Sequence, residues 1–235
     1  MNSITTRRLA GALLLVAPVS FSVCFTLLQQ QFEYPDILRQ PTADVLAKFA
    51  AGGSSLVMTW YVLTVTALAF VPVTLLVHRV LVARGPSTVL IVGTAFGVMA
   101  GVFQTLGFLR WVFVVPHLAA TYLDPTASEA QRAAAGVVFE AFHRYAGMGV
   151  GEHLGYLCTS LWTLLIAVVL LRTLDVPRWL AGIGVALAFG IAAGLLEPAG
   201  WELGGTINAI AYLAWAVWLM ALGVVILVRP APQTD

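Results

Sequence analysis

Residues 154–171 read LGYLCTSLWTLLIAVVLL, eighteen consecutive positions without a charged side chain. A helix needs about 20 mainly apolar residues to cross a hydrocarbon core about 30 Å thick, so this stretch reads as a membrane span. Working outward from it, five further stretches have the same character: 9–28, 55–77, 88–109, 179–196 and 207–228. The chain of 235 residues is 60% hydrophobic and only 10% charged, with a mean hydropathy of +0.92. Soluble domains carry about a quarter charged residues, so this chain cannot cover a water-facing surface. The composition also excludes disorder and coiled coil. The expected fold class is all-α: a polytopic membrane protein with six transmembrane helices, forming a single integral membrane domain over 1–235.

The first span follows Arg7 and Arg8, as a signal peptide's apolar run would. It is too long for that role and lacks a small-x-small cleavage site, so a retained helix is expected. Orientation comes from basic residues, which collect in cytoplasmic loops. With six spans, Arg7, Arg8, Arg79, Arg84, Arg172, Arg178 and Arg229 share one side, opposed only by Asp175 and Asp235. The other side holds five basic and nine acidic residues. Both termini are therefore expected in the cytoplasm. A net charge of +1 leaves no basic surface for nucleic acid.

The outer connections, 31–53 and 110–150, are expected to carry short interfacial helices. Thr42 can cap one bearing Val45, Leu46 and Phe49, stopped by Gly52-Gly53, with its apolar face on the membrane surface. Thr126-Ala127-Ser128-Glu129 reads as a capping box opening another near Ala127. Extended straight to Leu171, that helix would be about 67 Å long at 1.5 Å per residue. Gly147, Gly149 and Gly151 are the expected bend. Gly93, Gly97 and Gly101 recur every fourth residue, a smooth stripe for close helix packing, and Gly182, Gly190 and Gly194 are expected to serve similarly.

Apart from the arginine rim, nearly all ionisable groups lie at or beyond the outer boundary. Intramembrane ionisable groups usually face a partner or a water-filled cavity, so an outward-facing polar cavity is expected. Glu140 and Glu152 are the candidate catalytic acid or base. Glu140 shares a helix face with His143 and Arg144, although a solvated Glu–Arg pair is the simpler account of that spacing. Arg110, Trp111, Tyr145, Glu197 and Asn208 are the candidate ligand-binding residues. Arg110 could pair with Glu152 or Glu197, or simply snorkel to water. Glu197 precedes Pro198, where a helix opens, and Asn208 lies at a depth to hydrogen-bond it.

His117, His143 and His153 are candidate metal ligands, with a divalent metal such as zinc, iron or manganese, or a two-histidine haem, as the implied cofactor. No compact motif such as H-E-x-x-H supports that set, and helix capping or interfacial placement is the competing account of each histidine. His78 reads as an interface residue. Cys24 and Cys158 are too few for a disulfide framework and read as buried apolar thiols.

Tyr34-Pro35-Asp36-Ile37-Leu38, and Gly151-Glu152-His153-Leu154-Gly155-Tyr156, resemble a bacterial membrane family known as domain of unknown function number 4386. The resemblance covers most of the chain, and its most specific part is the Gly-Glu-His-Leu-Gly-Tyr stretch. It implies a multi-pass protein of the bacterial inner membrane and carries no activity over. The expected function is binding of a small lipophilic molecule from the lipid bilayer, with carboxylate–histidine or metal chemistry as the route to acting on it. The alternative is a non-catalytic transporter or partner subunit whose outer polar residues only cap helices.

Overall fold

The structure, a computed structural model, describes residues 3–82, 87–172 and 176–228. Arg84, Asp175, Arg229 and Asp235, which enter the charge count, lie outside the described residues. The elements are α1 (Ser3–Phe32), a 3-10 turn (Asp36–Arg39), α2 (Thr42–Val82), α3 (Thr88–Phe113), α4 (Val115–Leu123), α5 (Glu129–Phe142), a π-helical segment (His143–Leu154), α6 (Gly155–Leu171), α7 (Arg178–Ala193), a second 3-10 segment (Gly194–Ala199) and α8 (Glu202–Val228). No strand occurs among the described residues. Among the described residues six helical stretches are long and apolar enough to cross a membrane, and each contains one span expected from the sequence. The protein is a six-helix membrane protein.

Two compact groups of residues can be described separately. The first comprises 1–19, 69–102 and 153–235. Its packing depends on small residues where backbones approach. A Cβ on Gly97 would strike the Trp162 indole, and one on Gly93 would lie 3.1 Å from Leu165 Cβ. Trp162 is wholly buried, with its ring edge-on to Phe70 at 4.9 Å. Gly190 and Gly194 pack closely as expected, with an added Cβ meeting Ala211 Cβ at 2.8 Å and Asn208 Nδ2 at 2.6 Å; Gly184 joins them, its Cβ meeting Trp218 at 2.8 Å, while nothing lies within 4 Å of a Cβ on Gly182. His78 Nδ1 hydrogen-bonds Thr94 Oγ1 at 2.8 Å.

The second group comprises 20–68 and 103–152. Here α2 breaks at Gly53, whose φ of 56° and ψ of −151° suit glycine alone. The stop expected at Gly52-Gly53 is real, but the helix before it differs from expectation in two respects. Val45, Leu46 and Phe49 are buried against protein instead of lying on the membrane surface. The Thr42 hydroxyl caps nothing; it donates to Glu140 Oε1 at 2.5 Å. The face packs inward because it finds large aromatic partners, which outcompete lipid for shape-matched contact.

The capping box is centred on Ser128. Its hydroxyl accepts from Gln131 N at 3.3 Å, and Gln131 Oε1 accepts from Ser128 N at 2.8 Å. Thr126 instead turns back: its hydroxyl and N–H donate to Asp124 Oδ1 at 2.7 and 2.8 Å, which holds that carboxyl below the usual carboxylate range. Beyond α5 the helix does not end at the glycines. It widens over His143–Leu154 into a π-helical segment and continues as α6. Such segments are uncommon and concentrate at functional sites.

Candidate functional site

The second group is built around aromatic rings. Trp60 and Trp111 stack with centroids 5.0 Å apart and planes 12° apart, and Phe49 stacks on the other side of Trp111 at 5.6 Å. Phe32 stands edge-on to Trp111 at 5.2 Å, and Tyr34 stands edge-on to Trp60 at 5.3 Å. These rings come from α1, the chain after it, both halves of α2, and α3. Phe139, from α5, adds an edge-on contact to Trp111 at 6.3 Å and stacks on the His143 imidazole at 5.4 Å. Trp60, Trp111 and Phe32 are fully buried.

Polar groups enter this cluster from α3 and the π-helical segment. Arg110 is 5% exposed, so it does not snorkel. Its guanidinium carbon lies 5.0 Å from the Trp111 ring centroid, and Nη1 donates to the Gly107 carbonyl. Gly147 makes room for it, since a Cβ there would lie 2.6 Å from Arg110 Cζ and Nη2. Glu152 is the acidic neighbour of both Arg110 and Tyr34. Burial, and after it the Glu152 carboxylate, push the Tyr34 phenol well above the ordinary tyrosine range. Of the two carboxylates the sequence offered Arg110, Glu152 is the one whose charge bears on it.

His143 is 7% exposed, and its Nε2 lies 3.0 Å from the Leu38 carbonyl. A carbonyl cannot donate, so Nε2 carries the hydrogen and the neutral ring keeps a lone pair on Nδ1. That Nδ1, Arg110 Nε, Trp60 Nε1 and Trp111 Nε1 are all buried without a hydrogen-bond partner among the described residues. Buried polar atoms are nearly always satisfied, so four exceptions in one cluster stand out. Glu140 sits beside the cluster, held by Thr42 and by Arg144 Nε at 3.2 Å.

The remaining candidates lie elsewhere. Tyr145 is 76% exposed and His117 is exposed, so neither belongs to the cluster. His153 is half-buried and falls in the first group. Among the described residues no three His, Cys, Asp or Glu side chains gather so as to hold a metal ion. The expected His117–His143–His153 shell is therefore not assembled: His143 is turned towards the Leu38 carbonyl, and His117 lies at the surface. Asn208 is buried, and its Nδ2 donates to the Ile191 carbonyl at 2.6 Å. Glu197 lies in the 3-10 segment ahead of Gly200, and its carboxylate packs over Gly205.

Sequence reasoning missed Trp60, Phe32, Phe49 and Gly107. Gly107 carried a weak signal, as a glycine one turn before Arg110. A Cβ on Gly107 would lie 2.6 Å from Gly151 Cα, so α3 and the π-helical segment meet backbone to backbone. Gly107→Ala is expected to cost about 1–3 kcal/mol, because backbone cannot swing aside as a side chain can. Gly149→Ala, whose Cβ would meet only Arg144 O at 3.5 Å, should be neutral or mildly stabilising. Thermal unfolding of the two variants in detergent checks the contrast, and equal melting temperatures would contradict it.

Residues 9–226 match the model of the family described as Domain of unknown function (DUF4386). No curated protein and no solved structure matches the chain.

Proposed function

We propose, for a chain that belongs to the DUF4386 family, that it binds a small lipophilic molecule at the cluster around Arg110, Trp111 and His143. One observation carries this reading: four buried nitrogens in one cluster lack partners that protein interiors normally provide. His143 Nδ1 and the neighbouring Glu152 are the groups able to move a proton to or from a bound molecule, with Glu140 at the margin. The Thr42–Glu140 and His143–Leu38 hydrogen bonds favour a second reading, in which these residues only tie elements together in a non-catalytic subunit.

Organic extracts of purified wild-type and His143→Ala protein separate the two. The binding reading expects one lipophilic species near equimolar with wild type and depleted in the variant. A wild-type extract holding nothing beyond bulk membrane lipid would leave the tie-only reading.

The same proposal places the protein in a bacterial inner membrane with both termini cytoplasmic and the cluster towards the outer face. In a background lacking Cys24 and Cys158, Ser87→Cys and Asp175→Cys should resist a membrane-impermeant thiol reagent in intact cells. Asp44→Cys and Ser128→Cys should react. Labelling at Asp175→Cys from outside would overturn this orientation.

A further inference from the structure

Acidic groups already accompany cations beside the cluster: Glu152 lies near Arg110, and Arg144 and Lys48 form ion pairs with Glu140 and Glu33. A charged ligand head would bring an unmatched charge into a buried setting, at a cost of several kcal/mol. The unmet hydrogen-bonding capacity has a definite composition. Trp60, Trp111 and Arg110 each present one N–H without an acceptor, and His143 Nδ1 presents one lone pair without a donor. A carboxylate offers acceptors but nothing for Nδ1. An ammonium offers donors but nothing for the three N–H groups. A hydroxylated ester or amide head offers both, with acceptors in excess.

Resting on the binding function proposed above, we infer that the site takes an amphiphile with an uncharged, hydroxyl-bearing head, such as a monoacylglycerol, its hydroxyl donating to His143 Nδ1. Two neighbouring features fit. Tyr34, half-buried and edge-on to Trp60, borders the cluster beside exposed Glu33 and Asp36, and is the ring such a head would displace. The surrounding rings offer apolar surface for the first carbons of a chain.

The test supplies 1-monooleoylglycerol, oleate or oleylamine to delipidated protein in detergent. Bound lipid is measured by mass spectrometry after size exclusion. Monooleoylglycerol should be retained near one per chain, and the other two at least about tenfold less, since tenfold is what one unmet buried hydrogen bond alone produces. His143→Phe keeps a ring on Phe139 while removing Nδ1, and should reduce retention of monooleoylglycerol about tenfold. Trp60→Phe removes one N–H without removing the ring; it should weaken retention too, and serves if His143→Phe does not fold. Preferential retention of oleate or oleylamine overturns the uncharged head and leaves lipophilic binding standing. Undiminished retention of monooleoylglycerol by both variants overturns the site. Retention of none of the three lipids overturns the head-group inference; a wild-type extract that is also empty removes the binding function beneath it.

Discussion

Arg110→Ala is expected to lower the unfolding free energy by about 2–5 kcal/mol, the range seen when a large buried side chain is cut back and leaves a void. The arginine is 5% exposed, Glu152 is its acidic neighbour, and Gly147 leaves a space that only the guanidinium fills. The alanine variant removes the opposite charge nearest Glu152, deletes the Nη1 bond to the Gly107 carbonyl, and opens a void beside Trp111. Combining Arg110→Ala with Glu152→Gln should restore part of the loss, because the double variant no longer holds an unmatched charge. Thermal unfolding in detergent reads both. A melting temperature unchanged by Arg110→Ala would mean that the guanidinium reaches water, and would remove it from the cluster.

Trp111→Ala is expected to cost a similar amount, about 3–5 kcal/mol, through the cavity left when a large buried ring is deleted. The ring is fully buried and touches Phe32, Phe49, Trp60 and Phe139, so no single neighbour can collapse into the space. Trp111→Phe should behave quite differently. It keeps most of the stacking area and deletes an indole N–H that has no partner among the described residues. Removing an unsatisfied buried donor relieves about 1–3 kcal/mol of desolvation cost, which offsets the lost ring area. The phenylalanine variant should therefore unfold within a few degrees of wild type when delipidated. A loss as large as that of Trp111→Ala would show that the N–H is already satisfied.

The membrane architecture was legible because it is a one-dimensional property. Charge-free runs of span length, such as 154–171, leave little alternative, and the break at Gly53 followed from two adjacent glycines. The cluster was legible only in part. Arg110, Trp111, Glu140, His143 and Glu152 attract notice as polar or amphipathic residues near a span end. Trp60 and Phe49 do not, because an aromatic residue in an apolar run looks the same whether it faces lipid or protein. Thr42 lies 98 positions from Glu140, and no local pattern announces that hydrogen bond. The π-helical segment escaped for another reason. Gly147, Gly149 and Gly151 argue equally for a bend and for a widened turn, and nothing in their spacing announces a π-helical register. His117 and Tyr145 were drawn in by depth alone, and depth does not fix which way a side chain faces.

Asn208 and Trp218, two turns and more apart on α8, both spend their side-chain N–H on carbonyls of α7, at Ile191 and Leu180. Neither donor can find water once α8 lies in hydrocarbon, where an unmet polar group costs several kcal/mol. The consequence concerns biogenesis. Translation delivers α7 to the membrane before α8, so both acceptors are already in place when the donors arrive. Reversing that order by circular permutation would oblige α8 to wait in lipid with its asparagine unmet. The two bonds also act as a pair of pins. Sliding α8 along α7 breaks both bonds at once, so the pair resists that movement when the ribosome lets the hairpin go.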